Sequence, residues 1–173
     1  MIEYHKIETL WNRDEKTHKV IPGVFRLPEF GNIRSWFVTE KIDGTNLRCS
    51  LSPSGEVTFG GRTDNAQLHA TLVEHLRRTF TPDKLKACFE TAGENEVILF
   101  GEGYGEKINN GGAYREGVSF RLFDVLIGKW WLNQDAMGDI ASKLGIEMVP
   151  FVAEIHSLPE SIDDLRTLIS YSW

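Results

Sequence analysis

The order of strand-like and helix-like runs constrains this chain most. Residues 36–40, 46–51 and 56–59 read as strands, with Ser52-Pro53-Ser54-Gly55 a turn between the last two. A helical stripe follows: Leu68, Leu72, Leu76 and Phe80 recur every four residues, and Thr63, Asp64 and Asn65 precede them as candidate N-caps. Thr81-Pro82 opens a second helix, since proline at the first helical position forfeits no intrahelical bond, and Gly93 closes it. Strands are expected at 97–100 and 118–127. A helix runs from an Asn133 cap to about 144 with Gly145 past its end, then come a strand at 146–155 and a last helix from Pro159 to about 170. The stretch GEGYGEKINNGGAYREG (101–117) reads as a glycine-rich loop, and the proline-broken residues 1–35 read as irregular. Strands with helices set between them predict an α+β fold, mostly antiparallel sheets flanked by helices, rather than a doubly wound parallel sheet. The length suits one domain with a real core or two small ones, and the reading is a single domain over residues 1–173.

Composition narrows the function classes. Apolar residues make up 41% and charged residues 25%, the balance of a soluble globular chain. No run is long enough to span a bilayer, and the N-terminal MIEYHKIETLWNRDEK has no apolar segment of a signal peptide. Cys49 and Cys88 form no disulfide framework, and the five histidines show no zinc-ligand spacing. A reduced, cytoplasmic chain is expected. Nineteen basic residues against 25 acidic give a net charge of −6. If such a chain handles nucleic acid, contact is local and aided by metal ions.

One segment, FVTEKIDGTNLRCSL, admits two readings. Asp43-Gly44 between strands is a strong signal for a type I′ hairpin, which would leave Lys41 a surface charge. Alternatively Lys41 is a nucleophile. At pH 7 only about one lysine amine in 2,500 is neutral, a deficit of about 4.6 kcal/mol, and a nearby carboxylate enlarges it. A nucleophilic Lys41 therefore needs partial desolvation and positive neighbours, with Asp43 turned toward the water shell of a metal ion. Other residues bear on the choice. Glu102, in FGEG at the end of a strand, is suited to accept hydrogen bonds from sugar hydroxyls, or else is a strand-end ion-pair partner. Phe123 in FRLFDV shares a face with Arg121 against Val118, Phe120 and Leu122; it is placed to stack on a base, or else is a core residue. Arg62 in FGGRTDN reaches a phosphate or sugar, or else is an exposed turn residue.

Together Lys41-Ile42-Asp43-Gly44, the glutamate of FGEG and the FRLFDV strand resemble the first three signatures of the covalent nucleotidyltransferases, the superfamily of ATP-dependent polynucleotide ligases and messenger-RNA capping enzymes. KIDGTN is more similar to RNA ligases of the phage and RNA-editing type than to DNA ligases, and its spacing to Arg62, Glu102 and Phe123 also matches that group; the resemblance spans roughly residues 36–155. It implies a nucleotidyltransferase fold of the ATP-grasp-like ligase adenylation type. It also implies that Lys41 attacks the α-phosphorus of ATP, expelling pyrophosphate and holding AMP. The AMP would pass to a 5′-phosphate RNA end, and a 3′-hydroxyl, in a nicked duplex or otherwise, would displace it and seal the strand. By the same resemblance Glu40 meets the adenine edge, Phe123 stacks on adenine and Glu102 holds the ribose. Asn46 and Arg62 support phosphate, sugar or the 3′-hydroxyl end, Asp43 orients hydrated Mg²⁺, and Asp124 acts in later steps. Positioning and charge neutralisation are what phosphoryl transfer chiefly needs.

The family's fourth and fifth signatures, a Glu-Gly pair in a strand and a Lys-x-Lys, are not found in order. Glu116-Gly117 precedes the FRLFDV strand and reads as loop, and no Lys-x-Lys follows residue 130. The expectation is a chain truncated before those strands and before an RNA-binding domain, or one in which Lys107, Arg115 or Arg121 supplies the missing charge. Two alternatives follow: a non-catalytic nucleotide- or RNA-end-binding module that retains the fold, and a capping-type guanylyltransferase.

Overall fold

The structure, a computed structural model, describes residues 2–109 and 114–170. In chain order the elements are β1 (Trp11–Arg13), β2 (Val20–Phe25), β3 (Trp36–Thr39), β4 (Thr45–Leu51), β5 (Val57–Gly61), α1 (Ala70–Thr79) and α2 (Pro82–Cys88). There follow β6 (Val97–Gly105), β7 (Val118–Ile127), β8 (Trp130–Trp131), α3 (Gln134–Leu144), β9 (Glu147–Met148), β10 (Phe151–Ile155) and α4 (Ile162–Ser170). The α+β class with mainly antiparallel sheets is what the sequence predicts. Two compact units emerge: a larger one of residues up to Tyr4 with Lys41–Val149, and a smaller one of His5–Glu40 with the residues from Pro150 on.

The larger unit is built on a six-stranded sheet in the order β5-β4-β6-β7-β8, with β9 added to β7. All its pairs are antiparallel except β7 with β9. One face carries the main core. Leu47, Cys49 and Leu51 of β4, Val97 and Leu99 of β6, and Phe120, Leu122 and Val125 of β7 pack against Leu72, Leu76 and Phe80 from the α1 stretch, Leu85 of α2 and Met137, Ile140 and Leu144 of α3. Burying apolar surface on this scale is the main stabilising force. The caps read from sequence at the later helices form. Thr81 Oγ1 accepts the Lys84 N–H, Asn133 Oδ1 accepts that of Ala136 at 2.9 Å, and Gly145 closes α3 in the left-handed region.

Three expectations fail for local reasons. The helix expected from caps at 63–65 starts only at Ala70, after His69, because Asp64 gives its carboxylate to Arg48 instead. The strand expected to end at Phe100 continues to Gly105. Its glycines are there for packing, since a Cβ at Gly101 would meet the Phe120 ring at 2.1 Å, and one at Gly103 would meet Leu47 at 2.5 Å. The single strand expected at 146–155 is two: β9 lies parallel to β7, and after Pro150, which has no N–H to offer a ladder, β10 pairs antiparallel with β3.

The smaller unit pairs β1 with β2 and β3 with β10, and ends in α4. The β1–β2 pair lies in the stretch expected to be irregular. Its turn is tied by Asp14, whose Oδ1 accepts the N–H of Thr17 at 2.7 Å and that of Lys16 at 3.1 Å. Helix α4 begins in a reciprocal cap: Ser161 Oγ accepts the Asp164 N–H at 3.0 Å, and Asp164 Oδ2 accepts the Ser161 N–H at 3.1 Å.

Candidate active site

Strand alternation assigns the second face of the large sheet. Since Leu47, Cys49, Val97 and Leu99 enter the core, Asn46, Arg48, Ser50, Ile98, Phe100 and Glu102 lie on the opposite side. Cross-strand register sets Asn46 beside Glu102, Glu102 beside Arg121, and Arg48 beside Phe100. In β7 a bulge leaves Phe123 unpaired, because Leu122 faces Gly101 while Asp124 faces Phe100. A bulge re-aims the side chain it carries. Phe123 is accordingly half-buried in a small cluster with Tyr4, Ile98, Phe100 and Leu126, on the Glu102 side of the sheet and outside the main core.

The Lys41–Gly44 segment is not a hairpin. Strand β3 pairs with β10 while β4 pairs with β5 and β6, and neither Asp43 nor Gly44 takes the positive φ of a type I′ turn. The glycine serves close approach instead: a Cβ at Gly44 would meet the Gly103 carbonyl oxygen at 2.3 Å and Glu102 Cγ at 2.9 Å. Ile42 is buried, Asp43 half-buried and Lys41 exposed. The Gly44 N–H donates to the Glu102 carboxylate. The Gly44 carbonyl accepts from the Asn109 amide, and the Asp43 N–H donates to the Tyr114 hydroxyl at 3.3 Å.

These placements perturb Glu102. Burial pushes its carboxyl up to about 7, against the pull of the Lys41 charge and the Gly44 N–H, while the Asp43 charge adds to the rise. Beside it, Asn46 Oδ1 is buried with no hydrogen-bond partner among the described residues. A partly protonated acid and an unmatched amide oxygen, side by side, fit a polar ligand that brings hydroxyl donors. Among the described residues no three His, Cys, Asp or Glu side chains gather to cage a metal ion. Asp43 with Glu102 nearby instead suits a hydrated magnesium ion, which takes one or two carboxylates and completes its shell with water and phosphate oxygens.

The sequence matches the RNA ligase family over residues 34–171. This chain belongs to the RNA ligase family. Comparison with curated proteins finds no match. Among solved structures it is similar to RNA ligase mutants from Naegleria gruberi. One holds ATP and manganese (20% identity, TM-score 0.59, 74% of this chain and 38% of that one), and another AMP and manganese (18%, 0.60, 76% and 40%). The Naegleria ligase with pyrophosphate compares at 19% identity and TM-score 0.60, over 75% and 40% of the two chains. At this identity the likeness is one of fold. The chain spans well under half the length of these ligases.

The other residues singled out from the family-like motifs are placed as follows. Arg62 is exposed and stands one residue past the last β4–β5 pair, Leu47 with Gly61, at the register position opposite Asn46. Asp124 is held by Tyr4, whose hydroxyl donates to its Oδ2 at 3.0 Å; burial, then that carboxylate, raises the Tyr4 hydroxyl. Glu40 belongs to the smaller unit, its N–H bonded to the Pro150 carbonyl at 2.9 Å. Of the candidate substitute cations, Arg121 pairs with Glu147 at 3.2 Å and lies 5.4 Å over the Tyr104 ring. Arg115 donates to the Glu116 carbonyl, and Lys107 is exposed. Sequence reasoning passed over two residues on this face, Tyr4 and Arg48. Neither sits in a motif, and each acts through partners distant in sequence.

Proposed function

We propose that this chain, as one adenylyltransferase domain over residues 1–173, performs the nucleotide-transfer chemistry of an ATP-dependent RNA ligase. The observation that carries this reading is the Lys41–Gly44 segment held against Glu102, beside the unpartnered Asn46 oxygen, on one sheet face of an RNA ligase-family fold. The Naegleria structures hold ATP, AMP, pyrophosphate and manganese, and the same classes of reactant and metal suit this site.

In this scheme the Lys41 ammonium loses its proton to solvent and Nζ attacks the α-phosphorus of ATP. A P–N bond forms as the P–O bond to pyrophosphate breaks. Glu102 and Asn46 hold the ribose hydroxyls, Phe123 supplies a stacking face for adenine, and Arg62 meets phosphate or sugar. Asp43 orients hydrated magnesium, which when bound offsets phosphate charge. The lysyl-AMP passes AMP to a 5′-phosphate RNA end, forming a phosphoanhydride. A 3′-hydroxyl then attacks the 5′-phosphorus with AMP as leaving group, with Asp124 serving these later steps.

The exposure of Lys41 favours a second reading, a module that binds nucleotide or RNA ends without turnover. One experiment decides between them: incubate the protein with α-labelled ATP and Mg²⁺, without RNA, and resolve it on a denaturing gel. Label that stays on the protein and vanishes in Lys41→Ala supports the ligase reading. Measurable ATP binding with no label supports the binding module, and label from GTP alone supports a guanylyltransferase.

A further inference from the structure

Arg48 is a charged residue with 0% exposure in the middle of β4. Removing a guanidinium from water costs several kcal/mol unless its donors are satisfied. Here they are spent in definite directions. Nε donates to the Gly61 carbonyl at 2.7 Å, one terminal nitrogen to the Ile2 carbonyl at 3.2 Å, and the other to Asp64 Oδ1 at 2.8 Å. Two of these bonds land on either side of Arg62. The turn is also tight, since a Cβ at Gly61 would meet Ala66 Cβ at 2.6 Å. An apolar side chain facing Phe100 would fill this position as well, without the desolvation cost, but would fasten nothing. The planar fork of arginine is suited to gripping several acceptors at once.

We infer that Arg48 is a positioning residue: its guanidinium clamps the turn at Gly61 and Asp64 and so fixes Arg62 at the end of the Asn46–Glu102 row. Arg48 itself touches no substrate. This rests on the proposed function only for what Arg62 contacts; the clamp is a property of the fold.

The test uses Asp64→Ala and Arg48→Lys, each alone and combined with Arg62→Ala. The Asp64 side chain is 69% exposed, so Asp64→Ala opens no core cavity and carries the test should Arg48→Lys fail to fold, while the melting temperature reads the cost of the guanidinium it leaves unpaired from its carboxylate. The readouts are amide hydrogen exchange across residues 61–66, melting temperature, and the single-turnover rate of labelling with α-labelled ATP. Asp64→Ala is expected to speed exchange at 61–66 by about tenfold or more while the rest of the sheet keeps its protection. It is expected to slow labelling by about tenfold when Arg62 is present and by less than about twofold in the Arg62→Ala background, because coupled residues are non-additive. Unchanged exchange, or rate effects that simply multiply, overturns the clamp. If the wild-type protein takes no label, the ligase reading fails alone, and the exchange result still judges the clamp.

Discussion

Glu102 is an acid that the fold makes reluctant to ionise, and the consequence has a definite sign. Its folded-state pKa, about 7, lies above the ordinary carboxyl value. The folded protein therefore holds this proton more tightly than the unfolded chain. The contribution to stability is full below about pH 4.5 and is lost as pH rises through about 7. Glu102→Gln, which cannot ionise, should melt close to wild type at pH 5 and about 2–4 °C higher at pH 8, the shift that ~1 kcal/mol gives a domain of this size. That is less than full linkage would give, because part of the carboxyl reaches solvent. Calorimetry at the two pH values checks it; a variant less stable than wild type at pH 8 would show that the charged form is favoured. At this scale the sequence was legible where chemistry sits in one short segment, as in Lys41-Ile42-Asp43-Gly44. It was silent on Arg48, whose acceptors at residues 2, 61 and 64 become neighbours only when the strands pair.

Among the elements, β6 positions the site and was the one read least well. Glycines at 101, 103 and 105 look like loop residues, because glycine's freedom is a loop signal. In the structure Gly101 and Gly103 face the core, where Phe120, Leu47 and Leu72 occupy the space a side chain would take, while Glu102 between them faces the site. The same packing that hides the strand from a propensity argument fixes Glu102 mid-strand instead of at a flexible end. The two glycines should respond differently to alanine. At Gly101 the new methyl meets the Arg121 carbonyl oxygen at 2.5 Å as well as the Phe120 ring, and backbone does not move aside. At Gly103 it meets the ends of Leu47 and Leu72, which rotate. Gly101→Ala should cost about 1–3 kcal/mol in urea denaturation, the usual cost of overpacking, and Gly103→Ala distinctly less. Equal losses would mean that strand pairing, not the methyl's neighbours, sets the cost. The elements with clear punctuation, α2 after Thr81-Pro82 and α3 between Asn133 and Gly145, were legible because cap chemistry is local.

Over the whole molecule the deciding property is charge. A chain with net charge −6 repels a polyanion at long range, so the proposed function requires an RNA end to be held by a few short-range contacts on the sheet face. Arg62 and Lys41 are exposed basic residues set beside that row, whereas Arg121 is already paired with Glu147 and Arg48 is enclosed. The salt dependence of binding measures how many phosphates are engaged, because each contact to single-stranded nucleic acid adds about −0.7 to the slope of log affinity against log salt. One or two phosphates give about −0.7 to −1.4. Fluorescence anisotropy with a short 5′-phosphorylated RNA, titrated at several salt concentrations in magnesium, should fall in that range, and Arg62→Ala should flatten it by one contact. A slope steeper than about −3 would mean that about four or more phosphates are engaged, and the local-contact account of this family member would have to be given up.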